Sequence, residues 1–182
     1  VTHATHLYNA MPPMNHRKPG VIGAVRDSYQ CHAELICDGV HIHPSVIRAT
    51  FAMLGAGRII LISDSMRATG MPDGQYTLGG LDVKVRGNRA TLVSDGALAG
   101  SVTNLADCMR TANLMDCLRY VVKKAGISLE TAVMCATENP AKEIGIYDKV
   151  GSISVGKQAD FVLIDEELNI KRVYIDGKEI IC

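Results

Sequence analysis

Apolar positions fall into three rhythms along the chain. Val1–Thr5 is short and β-branched. His32–Cys37 is an apolar-leaning run closed by Asp38-Gly39, and Arg58–Ser63 contains the unbroken stretch Ile-Ile-Leu-Ile. Strands without alternation are buried on both faces, as in parallel sheets. Between the last two, Val46, Ile47, Thr50, Phe51 and Leu54 recur at helical spacing, with Pro44 at the head and Gly55 at the tail. Proline suits a first helical turn and glycine a helix C-terminus. The order reads βα, βα, β, with the next helix displaced.

An insertion causes the displacement. Apolar and polar residues alternate over Gly74–Ser94 around Gly79-Gly80 and Gly87-Asn88, which predicts two or three antiparallel strands with tight turns. Helical spacing returns at about Asn104–Lys124 and again over Ser128–Thr137, where Ser128 is a good N-cap. A short helix is expected around Pro140. From Gly151 the rhythm changes. Ser152–Ile153, Asp160–Ile164, Ile170–Ile175 and Glu179–Ile181 read as short strands, and Asp165–Asn169 and Asp176-Gly177 as turns. Residues 151–182 therefore read as a small β module, separate from the α/β repeat of 1–150.

Composition narrows the partners. The chain has 182 residues, 47% of them hydrophobic, and a formal net charge of +0. That is room for one core with an appendage. The absent basic surplus argues against a nucleic-acid partner, leaving a small molecule or another copy of the chain. No apolar stretch approaches the roughly 20 residues of a membrane span, and no signal peptide is evident. The six cysteines form no CxxC pair, so reduced, mostly buried thiols in a cytosolic protein are expected. The sequence begins with Val1 inside a strand-like run, not with Met, which reads as an internal starting point.

Candidate chemistry gathers after the strands. His6, His41 and Asp64 each follow a predicted strand, spaced 35 and 23 residues apart (6 to 41, 41 to 64). In a (β/α)8 barrel all strand C-termini open on one face, where catalytic groups collect. Imidazole suits zinc-like metals, and a carboxylate beside an activated water can act as its base. Ordinary roles stay open for each: a loop residue for His6, a carbonyl partner for His41, a turn former or N-cap for Asp64. His3, His16, His32 and His43 compete with the two histidines. His3 differs from His6 in strand parity and is taken as structural. Arg17, in a Pro- and Gly-rich loop, is either a phosphate ligand or a solvated charge.

Three stretches resemble the N-acetylglucosamine-6-phosphate deacetylases, in their C-terminal half. Ala4-Thr5-His6-Leu7-Tyr8-Asn9-Ala10-Met11 is similar to their metal-binding loop. Cys37-Asp38-Gly39-Val40-His41 is similar to their DG-x-H segment, and Leu61–Gly74 to the segment of the catalytic aspartate. Gly96–Ser101 and Gly156–Val162 also look like the family. The resemblance implies an α/β fold: the last three strands of a (β/α)8 TIM-type barrel over 1–150, with the hairpin insertion at about 74–94, and part of a small β-sandwich over 151–182. It implies a divalent metal, zinc or iron, with His6 as a ligand. Asn9 and the backbone of Ala10 would hold the sugar phosphate, with Arg17 reaching a phosphate of the neighbouring subunit in a homodimer. His41 would contact substrate near the scissile amide, and Asp64 would serve as general base and then acid. The backbone of Leu98, Ala99 and Gly100 would close over the sugar. A glutamate and another histidine of the metal set would lie on earlier strands, so the 182 residues alone are expected to be inactive. Two alternatives remain: a dihydroorotase- or deaminase-like amidohydrolase, and a non-catalytic remnant.

Overall fold

The computed structural model describes residues 1–87, 89–101 and 114–180. Strands β1 (His3–Ala4), β2 (His32–Ile36) and β3 (Ile59–Ile62) form a parallel sheet in the order β1-β2-β3. His3 is level with His32, and Ala33 through Ile36 with Ile59 through Ile62. Parallel neighbours require crossovers. Helix α1 (Gly20–Asp27) supplies the first, with Ile22 and Val25 buried. Its bounds are not evident from the hydrophobic spacing. Arg58, just before β3, closes its C-terminus by donating to Val25 O (3.1 Å) and Ser28 O (2.9 Å).

Helix α2 (Pro44–Leu54) supplies the second crossover within its expected bounds. Ile47, Thr50, Phe51 and Leu54 form its buried stripe, His43 accepts from Ser45 N, and Gly55 ends it at φ 78°. Helices α3 (Leu114–Lys123), α4 (Leu129–Ala136, capped by Ser128) and α5 (Glu138–Glu143) pack on β3. The first part of the helix expected over Asn104–Lys124 lies outside the described residues. Buried Asn139 donates to Ala56 O (2.8 Å) and Ile59 O (2.7 Å), which ties α5 to the start of β3.

The two faces of the parallel sheet differ. Ala4, Ala33, Leu35, Ile59 and Leu61 enter the main core. On the other face stand His3, His32 and Glu34. The expectation of a continuous apolar run over His32–Cys37 is therefore corrected: β2 alternates at its start, and its polar positions meet partners.

The insertion is larger than expected. β4 (Gly74–Leu78), β5 (Leu81–Arg86), β6 (Arg89–Leu92) and β7 (Leu98–Ser101) form a four-stranded antiparallel sheet. Its own small core is Met66, Ala68, Val83, Val85, Ala90 and Ala99. The tail forms an antiparallel sheet of β8 (Phe161–Ile164), β9 (Ile170–Ile175) and β10 (Lys178–Ile180), joined at the expected turns. The strand expected at Ser152–Ile153 does not form; Ile153 is solvated, and among the described residues no strand pairs with it. Among the described residues no helix is long and apolar enough to cross a membrane. Cys31, Cys37, Cys117 and Cys135 are buried free thiols; Cys108 and Cys182 lie outside the described residues.

Candidate active-site rim

Because β1, β2 and β3 run parallel and in register, their C-terminal ends lie along one rim. His6 follows β1 by two residues, His41 follows β2 by five, and Asp64 follows β3 by two. The sheet thus brings all three sequence-predicted segments to one side. Their backbone is unusual there. Non-glycine residues with positive φ include His6 (33°), Tyr8 (78°), Ala10 (52°) and Asp64 (49°). Each such residue costs on the order of 1–3 kcal/mol, and such strain clusters at functional sites.

The surroundings of the three residues differ. His6 is half-buried, and its Nδ1 is a buried atom with no hydrogen-bond partner. An imidazole nitrogen left bare in this way suits a divalent transition ion. His41 is held tightly: its Nδ1 lies 2.8 Å from Asp38 Oδ2, with the two side chains 4% and 6% exposed. Asp64 is exposed. Gly100 of β7, at φ +68°, packs against it so closely that a Cβ there would sit 3.3 Å from Asp64 O and 3.8 Å from its Oδ2. The predicted Leu98–Gly100 segment is therefore a strand edge beside Asp64, with Ala99 turned into the insertion core. Asn9 is half-buried, with Nδ2 donating to Leu7 O (3.3 Å), and Ala10 is exposed beside it. Arg17 is exposed in a turn where its N–H donates to Asn15 Oδ1 (3.0 Å). A shallow depression on the insertion, lined by Arg67, Gln75, Tyr76, Thr77 and Asp82, contains none of the predicted residues.

The sequence pattern of the Amidohydrolase family matches residues 1–180. The chain belongs to the amidohydrolase family. It is 41% identical over 169 residues to the N-acetylglucosamine-6-phosphate deacetylase of Bacillus subtilis, covering 93% of this chain and 40% of that protein. It is 35% identical over 173 residues to a putative N-acetylgalactosamine-6-phosphate deacetylase of Escherichia coli K12, covering 95% of this chain and 97% of that one. Among solved structures, a mutant Mycobacterium smegmatis N-acetyl-D-glucosamine-6-phosphate deacetylase in complex with N-acetyl-D-glucosamine-6-phosphate superposes with a TM-score of 0.87. The identity there is 33%, over 98% of this chain and 45% of that one. The amidohydrolase chain thus spans about two-fifths of the length of the Bacillus relative it matches.

Among the described residues no group of three or more His, Cys, Asp or Glu side chains is arranged to hold a metal. The amidohydrolase chain does contain a polar bracket that sequence reading missed. Glu34 accepts from His3 Nε2 (2.8 Å), Thr5 Oγ1 (2.6 Å) and His6 N (3.3 Å), so one carboxylate fastens the segment that carries His6. Burial alone would raise the Glu34 carboxyl, but these donors outweigh it and hold it below its ordinary value. Glu143 of α5 meets His3 Nδ1 at 3.0 Å and His32 Nδ1 at 2.6 Å. The available signal was parity: His3 and Thr5, and His32 and Glu34, sit two apart on the face opposite Ala4, Ala33 and Leu35.

Proposed function

We propose that this chain is the part of an N-acetylglucosamine-6-phosphate deacetylase that carries its catalytic carboxylate, one metal ligand and the main substrate contacts. The observation that carries the reading is the rim backbone: His6, Ala10 and Asp64, all assigned site roles by resemblance, hold left-handed conformations on one edge of the sheet. In this reading residues 1–150 are the last three strands and helices of a (β/α)8 barrel, and 151–182 are part of a small β-sandwich. The enzyme is a cytoplasmic homodimer.

The bare Nδ1 of His6 fits a divalent cation, zinc or iron, completed by ligands outside this chain. When bound, the cation supplies Lewis acidity toward the acetyl carbonyl. Asn9 and the Ala10 backbone hold the phosphate, and Arg17 reaches the phosphate of the neighbouring subunit. Leu98, Ala99 and Gly100 line the sugar. Asp64 takes a proton from the water that attacks the acetyl carbon and returns it to the amine nitrogen as the C–N bond breaks. The products are acetate and glucosamine 6-phosphate. His41 stands near the oxyanion that develops between these steps.

Acetate release tests this, using a protein in which the chain is completed to the length of the Bacillus relative. Asp64→Asn is expected to lower kcat by about 10²–10⁴-fold, and the 182-residue chain alone with added zinc to give no turnover. Undiminished turnover by Asp64→Asn sinks the assignment. Because the Escherichia coli relative is a putative galactosamine-type deacetylase, both epimers belong in the assay. Equal turnover of phosphorylated and unphosphorylated sugar would remove the phosphate roles of Asn9, Ala10 and Arg17.

A further inference from the structure

Asp38 and Gly39 end β2 and look, from sequence, like a turn. The turn is built around a carboxylate. Asp38 Oδ1 accepts from Val40 N (2.9 Å) and His41 N (3.0 Å), while Oδ2 faces His41 Nδ1 at 2.8 Å. Gly39, at φ +84°, passes under Tyr120, where a Cβ would meet the ring at 2.7 Å. The loop is thereby pinned from both sides.

We propose that Asp38 is a positioning residue that holds His41 in its Nδ1–H form, so that Nε2 is the ring nitrogen offered to substrate. An ionised carboxylate only accepts hydrogen bonds, so the nitrogen facing it must carry the proton. Burial alone would raise the Asp38 carboxyl, but the His41 ring and the two backbone N–H groups outweigh it and keep it below its ordinary value. Among the described residues, the titratable groups beside Asp38 include the thiols of Cys37 and Cys117. Burial first, and then nearby charges including Asp38, push Cys37 well above its ordinary value and Cys117 up to about 12. Both stay neutral, and among the described residues Asp38 is the carboxylate that faces the His41 ring. The chemical consequence is sharp. A neutral Nδ1–H ring has a bare Nε2, which accepts from a hydroxyl or amide but cannot donate. It can donate to an oxyanion only as the imidazolium, with Asp38 balancing the charge. The inference rests on the deacetylase reading for its substrate, though not for the state of the ring.

Asp38→Asn separates the possibilities. The amide oxygen takes the place of Oδ1, with its two backbone N–H donors, which turns the NH2 group toward His41 Nδ1. The variant ring must then carry its proton on Nε2. Nitrogen-15 NMR of the histidine side chains in the 182-residue chain, under mildly alkaline conditions, reads this directly. Nδ1–H in the parent and Nε2–H in Asp38→Asn is expected. An Nε2–H parent, or a variant that keeps Nδ1–H, overturns the proposal. Should the variant not fold, the parent spectrum alone decides. In the completed enzyme, Asp38→Asn puts a proton on the nitrogen offered to substrate and removes the charge that balances an imidazolium, so kcat should fall on the order of 100-fold or more, as for a catalytic histidine held in the wrong tautomer, with KM changed less. An unchanged kcat overturns the positioning role. If the parent enzyme releases no acetate from the sugar phosphate, the deacetylase reading fails, while the proton position read by NMR still decides the state of the pair.

Discussion

The parallel sheet β1–β3 and the antiparallel sheet β8–β10 each have three strands, and they treat their isoleucine, leucine and valine residues differently. In the first, Leu35 and Ile59 have no exposed surface and lie in the main core with α3 and α4. In the second, Val162, Leu163, Ile170, Ile175 and Ile180 all face solvent substantially. The difference follows from the connections. Parallel neighbours need crossovers, and crossover helices cover a face. A hairpin closed by Asp176-Gly177 needs no cover, because the turn fixes register by itself. The left-handed residues divide the same way. Asp176 in the tail sits in the turn that calls for it, whereas His6, Ala10 and Asp64 sit at the rim, where no hairpin demands them.

The largest expected effect exploits that division. Leu35→Ala opens a cavity in the sealed core and should cost about 2–5 kcal/mol. Leu163→Ala, on a half-exposed strand, should stay within about 0.5 kcal/mol. Urea unfolding of both variants makes the measurement. Equal costs would mean that the tail strands are as firmly covered as the parallel ones, and the contrast would dissolve.

Sequence rhythm foretold much of this architecture, for reasons that differ by region. Pro44 and Gly55 bracket α2 because proline and glycine have few alternatives at those positions. Asp165–Asn169 and Asp176-Gly177 mark the tail turns because turn chemistry is local. Helix α1 was harder to see: only Ile22, Gly23 and Val25 are buried on it, too short a stripe for a clear period. The fourth insertion strand, β7, hides in Leu98-Ala99-Gly100-Ser101, where small residues leave no alternation. At the candidate rim, the placement of His6, His41 and Asp64 on one side of the sheet was legible because each follows a strand. Their holders were not. Glu34 lies inside an apolar-leaning run, and Asp38 is half of a stop signal. Each gains its meaning from a partner that folding brings into reach: His3 from the neighbouring strand for Glu34, and a ring three residues on for Asp38.

A smaller effect is expected where a single polar side chain joins two elements. Asn139→Ala removes the donor shared by the buried carbonyls of Ala56 and Ile59, while Ala56 O keeps the Ile59 N–H and the Cys135 thiol as donors. The expected loss is about 1–3 kcal/mol, from two buried hydrogen bonds at roughly 0.5–1.5 kcal/mol each. In the tail, Asp165 accepts from the backbone N–H of Asn169 in the open. Water replaces that contact in Asp165→Ala, so its denaturation midpoint should move less than that of Asn139→Ala. The opposite ranking would place more of the stability in turn hydrogen bonds than in the helix-to-strand tie.

The smallest effect carries a sign. His3 lies between Glu34 of β2 and Glu143 of α5, and its side chain is 32% exposed. Burial alone would lower its pKa, but hydrogen bonds and attraction from the two carboxylates outweigh burial and raise it above 6.5. A group whose folded pKa lies above its unfolded one stabilises fully below the unfolded value, and that contribution fades as pH rises through the folded value. Solvent screening at this exposure limits it to about 1 kcal/mol or less. The urea midpoint of the parent should exceed that of His3→Gln at mildly acidic pH, and the gap should narrow under alkaline conditions. Residues 151–182 contain no histidine, so a tail probe such as Tyr174 fluorescence supplies a reference with no such titration. A gap that stays constant, or widens with pH, would mean that the two carboxylates do not grip a charged His3 and that the bracket across β1, β2 and α5 holds by neutral hydrogen bonds alone.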